Sequence, residues 1–142
     1  MHTHLPGLVL LAALALFSCK KENTAAGAGA SQFGLETATV TATGSLQFSD
    51  DKTIAGTVKL YQRKDGSLVL GIEKLTYKSV YATGVFLSSD PAVNSGAVKL
   101  YSATDFCGDV YLVLAPGLNP DALHWLVLQQ TGQQPTATAR LQ

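Results

Sequence analysis

"GTVKLYQRKDGSLVLGIEKL", residues 56–75, is the stretch that decides the fold class. In its first half Val58 and Leu60 alternate with Lys59 and Tyr61, so one pair of side chains faces a core and the other pair faces away from it. The segment "RKDG" then supplies an Asp-Gly turn, and "LVLG" resumes the apolar run. An apolar alternation on both sides of such a turn predicts an antiparallel β-hairpin.

A near copy of the hairpin's first strand, "GAVKLY", follows forty residues later at 96–101. Here Val98 and Leu100 are expected to face the core, and Lys99 and Tyr101 to face away from it. The segment "TDFCGD" is a predicted turn, and "LVLA" completes a predicted second hairpin. The copies are either pseudo-twofold halves that build a site between them or two strands in similar surroundings. We favour the second interpretation, because a solenoid or propeller needs at least three repeats.

Short apolar segments separated by Gly, Asp, Asn and Pro continue along the rest of the chain. The predicted strand segments, in chain order, are "SLQF", "TVKLYQ", "SLVLGI", "GVFLSS", "AVKLYS", "VYLVLA", "HWLVLQ" and "TATARLQ". Strands of this length and spacing predict an all-β domain over residues 44–142, an antiparallel β-sandwich or small barrel of about eight strands.

The first residues, "MHTHLPGLVLLAALALFSCKKEN", have the pattern of a secretory signal. Their apolar run is too short for a membrane span, which needs about 20 residues. Leu16, Phe17 and Ser18 before Cys19 resemble the lipobox of bacterial lipoproteins. This likeness implies a signal peptide over residues 1–18 and lipid attachment at Cys19. The alternative is an ordinary signal peptide with an incidental cysteine.

Residues 19–43 are expected to be a flexible tether between the lipid and the domain. "NTAAGAGAS" contains no large apolar group and cannot offset the entropy of its ordering. The part from Gln32 to Thr43 fits either a tether or a first edge strand. The mature protein is thus expected in the cell envelope of a Gram-negative bacterium, for example on the periplasmic or the surface face of the outer membrane. Its lipid anchor makes the membrane its expected partner.

Composition excludes several classes of function. Ten acidic and ten basic residues give a formal net charge of zero, and only 14% of the chain is charged, so no nucleic-acid partner is expected. The chain has no phosphate-binding glycine loop, no zinc-protease helix and no calcium-loop spacing. We therefore expect a non-enzymatic protein with no catalytic residue, no cofactor and no metal.

Three segments together resemble a known family. "GTVKLYQRKDGSLVLGIEKL", "GVFLSSDP" and "GDVYLVLAPGLNPDALHWLVLQQTGQQPTATARL" resemble the DM-thirteen domain, a small all-β electron-transfer domain that occurs with DOMON modules in animals and alone in bacterial secreted proteins and lipoproteins. The resemblance covers residues 44–142 and implies a β-sandwich with a redox role. The family's Trp-Cys pair falls on Leu128 and Gln129, so thiol chemistry does not carry over to those positions.

Three residues are candidates for redox or ligand contacts. Cys107 is the only internal cysteine, although its neighbours Asp105 and Asp109 disfavour a reactive thiolate. His124 is the only histidine of the mature chain, and Trp125 follows it. The alternative is a hairpin thiol, a half-buried histidine and a core tryptophan. Cys107 and His124 together are too few ligands for zinc.

Two functions from different classes follow. The first is a lipid-anchored binding module for an unknown envelope protein or small ligand, with outward tyrosines (Tyr61, Tyr77, Tyr81 and Tyr101) as one contact patch. Cross-strand pairing explains the same tyrosines. The second is an electron-transfer protein of the DM-thirteen type, as the resemblance implies.

Overall fold

The structure is a computed structural model, and it describes residues 30–142. The predicted signal peptide, the lipid attachment site at Cys19 and the first part of the predicted tether lie outside these residues. The described chain begins with two short 3-10 helices and continues as six strands. The helices are Ala30–Phe33 and Leu35–Thr37, and the strands are β1 (Thr39–Phe48), β2 (Ala55–Gln62), β3 (Leu68–Ser88), β4 (Val98–Val113), β5 (Trp125–Gln130) and β6 (Pro135–Arg140).

Five of the strands close into a barrel. β1 pairs with β2, β2 with β3, β3 with β5, β5 with β6, and β6 returns to β1, all antiparallel. β4 lies outside the ring as an extra strand, and within the described residues it pairs only with β3. The prediction of an all-β antiparallel fold is confirmed. The architecture is a closed five-strand barrel plus one strand.

The long strand β3 holds the barrel and the extra strand together. Its first residues, Leu68–Glu73, pair with β2, and its last residues, Thr83–Ser88, pair with β5. β4 follows both halves on the opposite edge. Between these two halves of β3, the pairing register with β4 shifts twice. The first shift lies at a bend near Lys74, which has a φ of 57°, and the second lies where residues 79–82 bulge outward. Such bulges let one strand change partners.

One hydrophobic core is shared by the barrel and the extra strand, and it consists of the alternating apolar side chains that the sequence pattern selects. Its core members come from all six strands and include Leu46, Phe48, Val58, Leu60, Leu70, Ile72, Val85, Leu87, Phe106, Val110, Leu126, Leu128, Ala137 and Ala139. Each fully buried large aliphatic or aromatic side chain contributes about 1.5–3 kcal/mol relative to exposure. This core fixes the register of every strand, because a one-residue slip would turn the apolar set outward.

The two "VKLY" copies have different surroundings. In β2, Val58 and Leu60 are buried in the core as predicted. In β4, Val98 is exposed and Leu100 is only half-buried, so the prediction that both face the core is wrong for Val98. The reason is position: β2 is a barrel strand with two neighbours, whereas β4 is the extra strand on one edge.

The eight predicted segments lie in only six strands. "SLVLGI" and "GVFLSS" both belong to β3, and "AVKLYS" and "VYLVLA" both belong to β4. The predicted turn "TDFCGD" is wrong, because residues 104–109 continue β4 opposite β3. The first hairpin is confirmed: β2 and β3 flank "RKDG", where the Arg63 N–H donates to the Ser67 carbonyl at 2.9 Å.

Packing also extends upstream of Gly44. The segment from Gln32 to Thr43 was expected to be either a tether or a first edge strand. Because β1 begins at Thr39, the strand interpretation is right for its last part. Ahead of it, residues 30–38 lie against the outside of the barrel, where Leu35 is 8% exposed and forms a second cluster with Tyr61, Val69 and Tyr111. We call residues 30–38 the N-terminal cover.

Candidate functional site

A groove on the outer face of the barrel is the best candidate site. It crosses the second half of β3 and is bounded by β5 on one side and β4 on the other. Gly84 of β3 forms its floor, paired with Gln129 of β5 and with Ser102 of β4. The groove encloses about 160 Å³ and is lined by Ala82, Gly84, Phe86, Lys99, Ser102, Gln129, Gln130 and Thr131.

Gly84 and Phe86 shape one wall of the groove. A Cβ atom on Gly84 would lie 2.5 Å from Cε2 of the Phe86 ring, so glycine lets the ring lie directly over the strand. Lys99 of β4 pairs with Phe86 of β3 and extends its Nζ over the Phe86 ring, 6.0 Å from the centroid. The ammonium group is thus held at the groove by a weak cation–π contact.

Gln129, one of the residues that line the groove, carries a side-chain acceptor that is buried and unsatisfied. Its Nε2 donates to the Gln133 carbonyl at 2.7 Å, which fixes the orientation of the amide because only the NH₂ group can donate. The other atom, Oε1, is buried and has no hydrogen-bond partner among residues 30–142. A buried acceptor without a partner costs about 1–3 kcal/mol, so a donor that reaches it gains affinity.

The rim of the groove is the outward bulge of β3, residues 79–82. Gln130 Nε2 donates to Ser79 Oγ at 2.6 Å, and the Tyr81 N–H donates to the same oxygen at 3.2 Å. Ala82 of this bulge lines the groove, and the preceding Val80 and Tyr81 are 89% and 71% exposed. The bulge therefore exposes apolar surface next to the residue that lines the groove.

The three predicted site residues do not line this groove. Cys107 is half-buried in the middle of β4, opposite Thr76. His124 and Trp125 lie at the start of β5, with ring centroids 6.5 Å apart. Within residues 30–142 no three His, Cys, Asp or Glu side chains come together as a metal site.

His124 instead borders a second, more open hollow of about 470 Å³ near the opposite end of β5. Asp121 and Arg140 line the same hollow, so it carries charges of both signs. Of the buried side-chain polar atoms in the described residues, only Thr83 Oγ1 and Gln129 Oε1 have no partner, and neither residue lines this hollow. The groove at Gly84 is thus the better candidate for a ligand site.

A buried polar cluster lies beneath the N-terminal cover. Glu73 accepts a hydrogen bond from Lys59 Nζ at 2.7 Å, one from the Tyr61 hydroxyl and a longer one of 3.3 Å from the Tyr111 hydroxyl. Burial raises the pKa of Glu73, but the bonds from Lys59 and Tyr61 outweigh it, and the net pKa is lowered. Burial and then the charge of Glu73 raise the pKa of Tyr111 to about 12.

The pKa of Tyr61 is also raised, by burial first and by its hydrogen bond to Glu73 next. The cover closes this cluster, with the Phe33 and Tyr111 rings 5.7 Å apart. The predicted tyrosine patch is therefore wrong for Tyr61, which is 9% exposed. Of the other three tyrosines, two pack against the core and Tyr81 alone is strongly exposed.

The sequence pointed to Gln129 only because it occupies the position of the family's Cys. It pointed to Lys99 only as a strand residue that faces away from the core. It did not select Gly84 or Ser102. A glycine inside an apolar strand often marks a close approach of another group, and this signal was present in "GVFLSS". The groove itself depends on three strands that are distant in sequence.

Comparison with known proteins adds no identification. No family model, no curated protein and no solved structure matches the chain. In residues 30–142 no helix has the length and apolar character needed to cross a membrane.

Proposed function

We propose that this protein is a lipid-anchored component of a Gram-negative cell envelope whose barrel domain binds a small ligand or partner and performs no catalysis. One observation carries the binding role: Gln129, which lines a groove together with Lys99, has a buried Oε1 acceptor without a partner among residues 30–142. Binding sites combine an enclosed surface with a few polar groups that converge on it. The proposed anchor is Cys19, behind the signal peptide of residues 1–18.

Shift mapping tests the binding role directly. A panel of small envelope-derived compounds would be added to the ¹⁵N-labelled mature protein in detergent micelles. We expect amide shifts at Gly84, Ser102 and Gln129, while amides around His124 and Asp121 serve as the internal control. A panel that moves no groove amide would contradict the proposal.

The anchor has its own test. Cells expressing the protein would be grown with a radiolabelled fatty acid, and the protein would then be isolated from the membrane fraction. We expect label on the wild-type chain and none on the Cys19→Ala variant. A Cys19→Ala protein that still carries the label would refute lipid attachment at this residue.

Electron transfer is the second candidate, and it rests on the likeness to the DM-thirteen domain. One structural observation favours it: Gln129, where the family's Cys would fall, lies at the groove, so a concave site exists at that position. The discriminating measurement is the absorption spectrum of the protein extracted from its own membranes, before and after reduction. A visible band that shifts on reduction supports electron transfer, whereas a featureless spectrum supports the binding module.

A further inference from the structure

We infer that the groove at Gly84 binds a sugar acid, meaning a single sugar ring that carries a carboxylate. This inference rests on the proposed binding function and specifies its ligand. It depends on three properties of the groove: the charge on one side, the hydrogen-bonding groups on the other, and the space between them.

The charge comes from Lys99. Its ammonium group lies above the Phe86 ring, and the ion pairs found in residues 30–142 are Lys59–Glu73 and Arg63–Asp65. None of the described residues that line the groove is acidic. A carboxylate on the ligand therefore meets a cation that no carboxylate of the described chain neutralises, and a cationic ligand meets repulsion.

The hydrogen-bonding groups select hydroxyls. Gln129 Oε1 can only accept, so the ligand must donate to it. Ser102 of β4 and Thr131, which directly follows β5, also line the groove, and their hydroxyl groups can donate or accept. A ring with several hydroxyls meets all of them, whereas an apolar ligand leaves the buried acceptor unpaired.

The space limits the ligand to one ring. The groove volume of about 160 Å³ is smaller than the roughly 300–1,000 Å³ of pockets that hold larger molecules. Gln129 and Ser102 lie on strands separated by β3, so their backbones are about 10 Å apart. A sugar acid spans this width with a hydroxyl toward Gln129 and its carboxylate toward Lys99.

The test uses D-glucuronate as the probe, added to the ¹⁵N-labelled mature protein in detergent micelles. We expect amide shifts at Gly84, Ser102 and Gln129 with a Kd of about 1 mM, as befits a ligand of this size. D-Glucose is the matched neutral compound and D-glucosamine the matched cation. Glucose should bind at least about 10-fold more weakly, and glucosamine should bind more weakly still.

Two variants assign the contacts. Lys99→Met keeps the length of the side chain and removes its charge, so glucuronate affinity should fall about 10-fold or more while glucose binding stays unchanged. Ser102→Ala, at an exposed position, should weaken glucuronate and glucose alike. Lys64→Met is the control, because Lys64 is exposed in the β2–β3 turn, away from the groove. It should leave all affinities unchanged.

The outcomes separate the two proposals. Glucuronate shifts at the groove that weaken in Lys99→Met support the sugar-acid inference. The sugar-acid inference is overturned if glucose shifts the groove amides as much as glucuronate does, or if only compounds without a carboxylate shift them. Either result still supports the proposed binding function. Absence of groove shifts with every compound of the panel overturns both.

Discussion

Replacing Glu73 tests whether the polar cluster under the N-terminal cover stabilises the barrel. In Glu73→Ala the hydroxyls of Tyr61 and Tyr111 lose their acceptor, at about 1–3 kcal/mol each, with Tyr111 at the lower end because its bond is 3.3 Å long. Removing one partner of a buried ion pair costs about 3–5 kcal/mol of stability, because the other charge stays buried and unpaired. This full cost does not apply here, since the Lys59 side chain is 34% exposed and can turn to water. We expect a total loss of about 2–4 kcal/mol.

Glu73→Gln separates the charge from the shape. Its amide oxygen still accepts one tyrosine hydrogen bond, so the loss should be smaller, about 1–2 kcal/mol. The wild-type carboxylate has a lowered pKa, so its contribution is present above the unfolded-state pKa and is lost as the pH falls through the folded-state pKa. The Gln variant should lose this part of the acid dependence.

The assay is urea unfolding of the purified protein, followed by the fluorescence of Trp125, the only tryptophan. Curves would be recorded from pH 3 to pH 7 for wild type and both variants. Glu36→Gln, at an exposed position in the cover, is the matched control and should change stability by less than about 0.5 kcal/mol. A loss below about 1 kcal/mol in Glu73→Ala, or an unchanged acid slope in Glu73→Gln, would refute the reasoning.

Three further predictions concern the same half of the molecule. The pKa of Tyr111 is raised to about 12, and that of Tyr61 is raised as well. The stability that these raised pKa values contribute should be complete below the unfolded-state pKa of about 10 and should be lost as the pH rises through 12. Unfolding curves at pH 9 and pH 12 check this, and the loss of stability between the two pH values should be smaller in the Tyr111→Phe variant. Leu35→Ala should cost about 2–3 kcal/mol and speed hydrogen exchange in the cover before the barrel strands; uniform exchange across both would contradict the separate docking of the cover. Gly66 has a φ of 84° in the β2–β3 turn, so Gly66→Ala should cost about 1–2 kcal/mol in urea unfolding, and an unchanged midpoint would show that the turn tolerates a side chain.

The first hairpin was predictable from sequence because its signals are local. Asp65 and Gly66 specify the turn, and the alternation around Val58 specifies the buried face. The strands β3 and β4 were not divided correctly, because the small and polar residues between their apolar segments resemble turns. The bulge at 79–82 is instead held by the hydrogen bond from Gln130 to Ser79, a contact 51 residues apart in the chain.

The groove could not be predicted for a related reason. Its floor, its charge and its acceptor come from β3, β4 and β5, and only the pairing of Gly84 with Ser102 and Gln129 brings them together. The sequence pattern places Lys99 on an outward face, but it does not show which strand is the neighbour. Burial of Tyr61 was missed similarly, because the N-terminal cover is contributed by a segment that has no strong periodicity.

Closure of the barrel has a consequence for how fast the protein folds. β1 completes the ring with β6 through Gln47 and Thr138, and Thr43 exchanges two hydrogen bonds with Gln142, at 2.9 and 3.0 Å. These partners are separated by most of the described chain, so their contact requires a large loop to close first. Topologies dominated by such distant pairs fold on a timescale of about milliseconds to seconds. Until β6 arrives, β1 and β5 each present an unpaired edge, so the interval before closure is when the chain most needs protection from association with other strands.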